Sequence, residues 1–267
     1  MFRKLVEKFA QKSVQVVYSL AVWGLGFSWM AGVSVVWAVF RKLMPGRDTQ
    51  HLVGTPGMAV CLRFTLSKVT FHYDPAFVHG RTSVFCQNHV NLMDAHAACA
   101  SIRQPFCGLM NAWQFYIPFY GWIMSLAEGI SVRSGANRYR EVTEAARDRA
   151  ARGISILVFP EAHRTRDGKV HTFKRGVFLM AREAGLPVVP LATRGMYELN
   201  RKGTWLLKPS DIHIYIGAQI ETAGLDDDEL RAVIDRTEQI VRDFTEHGIM
   251  PDPDAYDTGP SGALTGS

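Results

Sequence analysis

The hydrophobic pattern divides the chain into one long apolar block and a series of short runs. Residues 14–40 carry no charged side chain, about 27 positions where about 20 helical residues would cross a bilayer. This pattern predicts a membrane-embedded helical segment within an anchor at residues 1–45. A cleaved secretory signal is the competing reading, because Arg3, Lys4, Lys8 and Lys12 precede the block. The run is too long for one, and Arg41 and Lys42 follow as a stop. Cations at both ends leave the positive-inside rule without a choice of orientation. Gly24, Gly26 and Gly32 permit a bent, re-entrant helix pair, and a single tilted span fits equally well. Tyr18 and Trp37 suit interfacial belts, whereas Trp23 and Trp29 would lie deeper.

The turn-rich positions Pro45, Gly46, Gly54, Pro56 and Gly57 predict a hinge into a domain at 46–250. Short β-branched or apolar runs at 83–87, 154–159, 188–191 and 212–216 read as strands. Helical patterns cover 137–151, a stretch following Thr172 and closing at Gly185, and 227–244. Alternation of this kind implies an α/β fold, a mostly parallel sheet flanked by helices, with ligands collecting at the carboxyl ends of the strands. From residue 251 the Pro, Gly, Ser and Asp content predicts a disordered tail.

Composition narrows the picture modestly. Lys and Arg number 30 against 25 Asp and Glu, a net charge of +5. That excess is too small to argue for nucleic acid, but it suits an anionic membrane surface or a phosphorylated substrate. The four cysteines, Cys61, Cys86, Cys99 and Cys107, show no C-x-x-C spacing and read as reduced and mostly buried.

Two stretches carry candidate chemistry. The 83–87 strand runs into Asn88-His89-Val90-Asn91-Leu92-Met93-Asp94 and then an Ala-rich helical segment. With Asn91 as N-cap, Asp94 falls at N3, where free N–H groups and the helix dipole favour a carboxylate. His89 lies in the preceding turn. Inside a continuous helix this spacing would splay the two side chains by roughly 140 degrees, so their pairing needs the strand-turn-helix junction. Asp94 would then accept the proton of one imidazole nitrogen and leave the other as a base toward a hydroxyl. A plain cap and capping box is the alternative. The 154–159 strand ends in Pro160-Glu161-Ala162-His163-Arg164, followed by Lys174-Arg175-Gly176. A Glu, an Arg and further cations at a strand's carboxyl end make a pocket for a phosphate or glycerol group. Solvated surface charge is the ordinary alternative. Gly129-Ile130-Ser131-Val132-Arg133 ends another apolar run in an Arg, and Val189-Pro190 lies in a Pro-bounded buried strand.

In this order the four blocks resemble the glycerolipid acyltransferase family, the bacterial 1-acylglycerol-3-phosphate acyltransferases in particular. The family's N-H-x4-D motif is matched by Asn88, His89 and Asp94. Its Gly-to-Arg segment ends at Arg133, its F-P-E-G-T-R motif corresponds to residues 159–164, and its V-P segment to Val189 and Pro190. The resemblance implies His89 as general base, Asp94 as its orienting partner, and Arg133, Glu161 and Arg164 as acceptor-binding residues, which Lys174 joins as one of the cations behind the strand end. It implies an acyl-coenzyme A or acyl carrier protein thioester as co-substrate, a lysophospholipid acceptor, no metal and no bound cofactor. It also implies a place at the cytoplasmic membrane with the domain facing the cytoplasm. Where the family has Gly-Thr this chain has Ala162-His163, which adds a side chain and an imidazole beside the head-group pocket.

Readings from other classes are a metallohydrolase drawing on His89, Asp94, His96, His163 and His171, a thiol enzyme using Cys86, and a membrane-tethered scaffold. No H-x-x-x-H or H-E-x-x-H spacing supports the first, and Cys86 falls in a strand predicted to be buried.

Overall fold

The computed structural model describes residues 2–44 and 48–251, without the side chains of residues 2–6 and 8. The apolar block forms one helix, α1 (Phe2–Leu43), unbroken at Gly24, Gly26 and Gly32. A re-entrant pair needs a break that is not there. Among the described residues this is the one helix long and apolar enough to cross a membrane, by length and composition.

One side of α1 is fastened along the domain. Gln15 Nε2 donates to the Leu207 carbonyl at 3.2 Å, and Trp23 Nε1 to that of Trp205 at 2.7 Å. Trp29 Nε1 donates to the Gly57 carbonyl at 2.7 Å, Trp37 Nε1 to Thr49 Oγ1 at 3.0 Å, and Arg41 to the Leu126 carbonyl at 2.6 Å. From Gln15 to Arg41 these tethers span about 39 Å of helix at 1.5 Å per residue. The other side presents Val14, Val17, Leu20, Leu25, Phe27 and Val35 outward.

The expected hinge is a correction. Pro45 and Gly46 lie outside the described residues, but Gly54, Pro56 and Gly57 belong to helical structure, a π-helical turn (Gln50–Gly54) and α2 (Thr55–Phe64). Pro56 sits in the first turn of α2, where its missing N–H costs no bond. The glycines answer to packing: a Cβ on Gly54 would come within 2.5 Å of the Trp37 ring, and one on Gly57 within 2.8 Å of Val33.

Seven strands follow: β1 (Lys68–Tyr73), β2 (Val84–Gln87), β3 (Phe106–Asn111), β4 (Ile130–Val132), β5 (Ser155–Val158), β6 (Val188–Arg194) and β7 (Asp211–Ile216). They form one sheet in the order β1-β7-β6-β2-β5-β3-β4. Every neighbouring pair is parallel except β6 with β7. Alternate residues of β2 face opposite layers, as the period of a strand demands. Val84 and Cys86 join the core under α5 (Arg138–Ala151), α6 (Arg175–Glu183) and α8 (Asp227–Arg242). Phe85 joins the core under α1, α2 and α3 (Asp94–Ser101). A third cluster, with Met30, Trp37, Met58 and Ile123, fills the space beneath α1 and draws in α4 (Tyr120–Leu126). A short helix, α7 (Met196–Leu199), follows β6 through Gly195 at φ +88°, where a Cβ would meet the Asp211 carbonyl oxygen.

The helices expected at 137–151, after Thr172 and at 227–244 are present, the last ending as α8 at Arg242 before a π-helical turn (Asp243–His247). The predicted tail lies outside the described residues apart from Pro251.

Candidate active site

β2 delivers its carboxyl end to the middle of the sheet, and the turn beyond it is fixed by its own polar side chains. Asn88 Oδ1 accepts from the Thr193 N–H at 2.8 Å and hydroxyl at 3.1 Å, while its Nδ2 donates to the Thr193 carbonyl at 3.0 Å. The side chain thereby continues the β2–β6 pairing past the last ladder position. Asn91 Oδ1 accepts from the Met93 N–H at 2.7 Å, and Asn91 Nδ2 donates to the Met196 carbonyl at 2.6 Å. Regular helix begins only at Asp94, with Met93 as the geometric cap. Only half of the capping box is present: Asp94 Oδ2 accepts from the Asn91 N–H at 2.9 Å, while Asn91 Oδ1 takes the Met93 N–H and not that of Asp94.

Asp94 Oδ2 also accepts from the Val90 N–H at 2.6 Å and meets His89 Nδ1 at 2.8 Å. A carboxylate only accepts, so Nδ1 carries the hydrogen and Nε2 presents a lone pair. Phe159 stacks on the imidazole with ring centroids 4.1 Å apart and planes 19° apart. The cap and the dyad are therefore one structure, with the carboxylate that closes the turn also orienting the ring. Asp94 is buried, whereas the His89 side chain stays 23% exposed.

The end of β5 lies beside the end of β2. Here the structure changes the expectation for Glu161. Its Oε1 accepts from the His89 N–H at 2.7 Å and its Oε2 from the His171 N–H at 2.9 Å. Both oxygens of this buried carboxyl are thus occupied by backbone, and burial pushes its pKa up to about 7. Glu161 thus braces the backbone at His89, and neither of its oxygens is left free for an acceptor. The Thr165 N–H adds a bond to the His89 carbonyl at 2.8 Å, so both backbone polar groups of His89 are held.

The cations are placed differently. Arg164 is half-buried and Lys174 exposed. The Lys174 N–H bonds the Pro160 carbonyl at 2.9 Å, which keeps it next to the Glu161 turn. Arg133 follows β4, exposed, on the same carboxyl edge but three strands from β2, about 14 Å at ordinary strand spacing. Among the described residues the side chains of Arg133, Arg164 and Lys174 have no hydrogen-bond or ion-pair partner.

Phe159, Asn88, Thr165 and Lys202 are the supporting residues that sequence reasoning did not single out for these roles. Lys202 Nζ donates to the Arg164 carbonyl at 2.9 Å. Only Asn88 and Phe159 had a signal, their places in the N-H-x4-D and F-P-E-G-T-R matches. Other expectations fall away on burial and distance. Cys86 is fully buried, and burial pushes its thiol well above the ordinary range. His96 is buried in α3, where its Nδ1 meets the Met58 carbonyl at 3.0 Å. Among the described residues no group of three or more His, Cys, Asp or Glu side chains converges as a metal site.

An imidazole held by a carboxylate at a turn can take a proton from a hydroxyl, and the cations around it, unpaired among the described residues, can hold an anionic group. Residues 68–194 match the Acyltransferase family model. Over 135 residues it is 28% identical to the chloroplastic 1-acyl-sn-glycerol-3-phosphate acyltransferase of Brassica napus, which takes in 50% of this chain and 39% of that protein. It is 28% identical over 124 residues to the 1-acyl-sn-glycerol-3-phosphate acyltransferase of Pseudomonas aeruginosa, covering 45% of this chain and 48% of that one. The matched stretch thus spans less than half of these relatives. In fold the chain is similar to the 1-acyl-sn-glycerophosphate acyltransferase PlsC of Thermotoga maritima, with a TM-score of 0.75 and 21% identity, over 86% of this chain and 94% of that one.

Proposed function

We propose that this protein transfers a fatty acyl group from a coenzyme A or acyl carrier protein thioester to the free hydroxyl of a lysophospholipid, in the first instance 1-acylglycerol-3-phosphate. The observation that carries this reading is the 2.8 Å contact between His89 Nδ1 and Asp94 Oδ2, in a turn that leaves Nε2 toward the carboxyl edge of the sheet. Nε2 takes the proton of the acceptor hydroxyl as its oxygen attacks the thioester carbonyl carbon. Asp94 stabilises the imidazolium so formed. The tetrahedral intermediate then collapses, the carbon–sulfur bond breaks, and the imidazolium returns the proton to the departing thiolate. Arg164, with Arg133 and Lys174 nearer the rim, holds the acceptor phosphate by charge-assisted hydrogen bonds.

The lipid acceptor arrives from a bilayer on which α1 rests with its outward apolar side. The tethers from Gln15 to Arg41 support a helix lying along the domain: a crossing helix would carry the backbone of residues 205–207, Gly57 and Leu126 into hydrocarbon. The domain faces the cytoplasm, where the thioester donor is made. The test is to supply labelled oleoyl-coenzyme A and a panel of lysophospholipids to membranes carrying the protein. Labelled phosphatidate is expected from the parent and not from His89→Ala; transfer by folded His89→Ala, or no labelled lipid from the parent, overturns the reading.

A further inference from the structure

Between α7 and β7 the chain makes a closed loop that, apart from Lys202, the transfer chemistry leaves unused. Arg201, Lys202 and Lys208 are its cations, and no acidic residue lies among them. The loop is internally built. Buried Asn200 donates from Nδ2 to the carbonyls of Thr204 and Leu206, each at 3.1 Å. The Leu206 N–H bonds Thr204 Oγ1 at 3.1 Å, and the Lys208 N–H returns to the Leu199 carbonyl at 3.0 Å. This frame leaves the Trp205 side chain 48% exposed.

The frame is also fastened at both sides. Leu207 is buried toward α1, its N–H bonding Ser19 Oγ at 2.8 Å and its carbonyl accepting from Gln15. The Trp205 carbonyl accepts from Trp23, whose ring lies 6.1 Å from that of the exposed Phe27 on the outward face of α1. On the opposite side Lys202 holds the Arg164 carbonyl. A solvated basic loop would explain the cations alone. It does not explain an indole held outward beside them, at the border of an apolar helix face. Indoles favour the head-group level of a bilayer, and Lys and Arg beside an anionic surface are drawn to its phosphates.

We propose that the 200–208 loop is a second, charge-reading contact with the bilayer, in which Arg201 and Lys208 meet anionic phospholipid head groups while Trp205 enters the interface. It rests on the membrane reading above and adds a preference for anionic lipid, joined through Lys202 to the backbone of the Arg164 arm.

The test uses the full chain in nanodiscs of phosphatidylcholine, with or without phosphatidylglycerol, and spin-labelled lipid as quencher. A nitrobenzoxadiazole probe is placed on Trp205→Cys, since only the backbone of that residue serves the tether, and separately on outward-facing Val35→Cys. The native cysteines are buried or half-buried. The expected result is quenching at residue 35 in both discs, and quenching at residue 205 that needs phosphatidylglycerol and is relieved by salt. Each cation neutralised should lower the docked-to-undocked ratio about fivefold, so the added pair Arg201→Gln and Lys208→Gln should lower it about 25-fold. Quenching at residue 35 without quenching at 205, or equal quenching at 205 in both discs, overturns the charge-reading contact and leaves the membrane reading intact. Absence of quenching at both residues overturns the two together.

Discussion

Residues 88–94 and the cationic arms around them are opposite solutions at one sheet edge. In the turn, Asn88, Asn91 and Asp94 are all committed to backbone or imidazole partners. On the arms, Arg164 and Lys174 are positioned by their backbone while their charged ends stay unpaired among the described residues. A base must meet its proton in one geometry, so its freedom is removed in advance. A phosphate ligand gains most when its partner is the substrate, and a cation already paired within the protein would have to break that bond first. Removing a turn residue should therefore lower turnover, and removing an arm should weaken acceptor binding.

The largest effect is expected at the dyad. His89→Ala should lower kcat by about 10^4-fold with unchanged melting, since general base catalysis supplies up to that much. Asp94→Asn should cost about 10^2-fold or more, because an amide in place of Oδ2 cannot both fix the tautomer and stabilise imidazolium. Near-normal turnover in either folded variant would separate the dyad from the chemistry.

Glu161 sharpens the contrast, because its sequence neighbours suggested an arm and its bonds place it with the turn. Glu161→Gln should lower kcat about tenfold and leave the acceptor KM nearly unchanged. A rise in KM with kcat preserved would return it to acceptor binding. Its pH signature is separate. The carboxyl is raised from 4.5 to about 7, so the folded state favours the protonated form, and the stability this confers is full below pH 4.5 and lost as pH rises through about 7. Between those limits the parent should lose about 3 kcal/mol through this group. Chemical denaturation of Glu161→Gln at several pH values should show a slope lacking that loss; parallel slopes would place the titration elsewhere.

On the arms, Arg164→Ala should raise the acceptor KM about 30-fold, the worth of roughly 2 kcal/mol of charge-assisted bonding, and leave the donor KM alone. Arg133→Ala and Lys174→Ala should each cost less, being more exposed and farther from the base or better screened. A donor effect equal to the acceptor effect would remove the arms from head-group binding.

What the sequence disclosed follows the same division. His89 and Asp94 were legible because the dyad closes within five residues and needs only a strand, a turn and a helix start. The bonding of Glu161 was not, because one of its partners is a backbone N–H 72 positions away, brought near by the β2–β5 pairing. β1 was missed because its half-buried residues show no clean alternation, and β3 because Gly108 and Asn111 dilute its apolar run. The parallel sheet was legible from β2, β5 and β6, whereas the reversed direction of β7 depends on pairing with β6 that no local pattern encodes. The apolar block announced a long helix, but the role of Trp23 and Trp29 as tethers depends on carbonyls 182 and 28 positions away.

The smallest effect lies where the chain departs from the motif it resembles. Ala162 sits at φ +66°, in the left-handed region, and among the described non-glycine residues only Leu66, Phe119 and Glu128 share a positive φ. A Cβ in that region costs about 1–2 kcal/mol, and glycine gives back up to about 1 kcal/mol through its looser unfolded chain. Ala162→Gly should therefore stabilise the protein by about 0.5–1 kcal/mol, a rise of roughly 2–3 °C in Tm. The turn it relaxes lies between Glu161, which holds the His89 backbone, and Arg164, the proposed phosphate ligand. If the turn only needs a backbone shape, the glycine variant gains stability and keeps its kcat and acceptor preference. If Ala162 and exposed His163 narrow the head-group pocket, the double change Ala162→Gly and His163→Thr alters the ranking of lysolipids while kcat for the best one stays within about twofold. A lower kcat for every acceptor in Ala162→Gly would mean that the alanine stiffens the strut behind His89. The boundary between committed turn and open arm would then lie beyond residue 162.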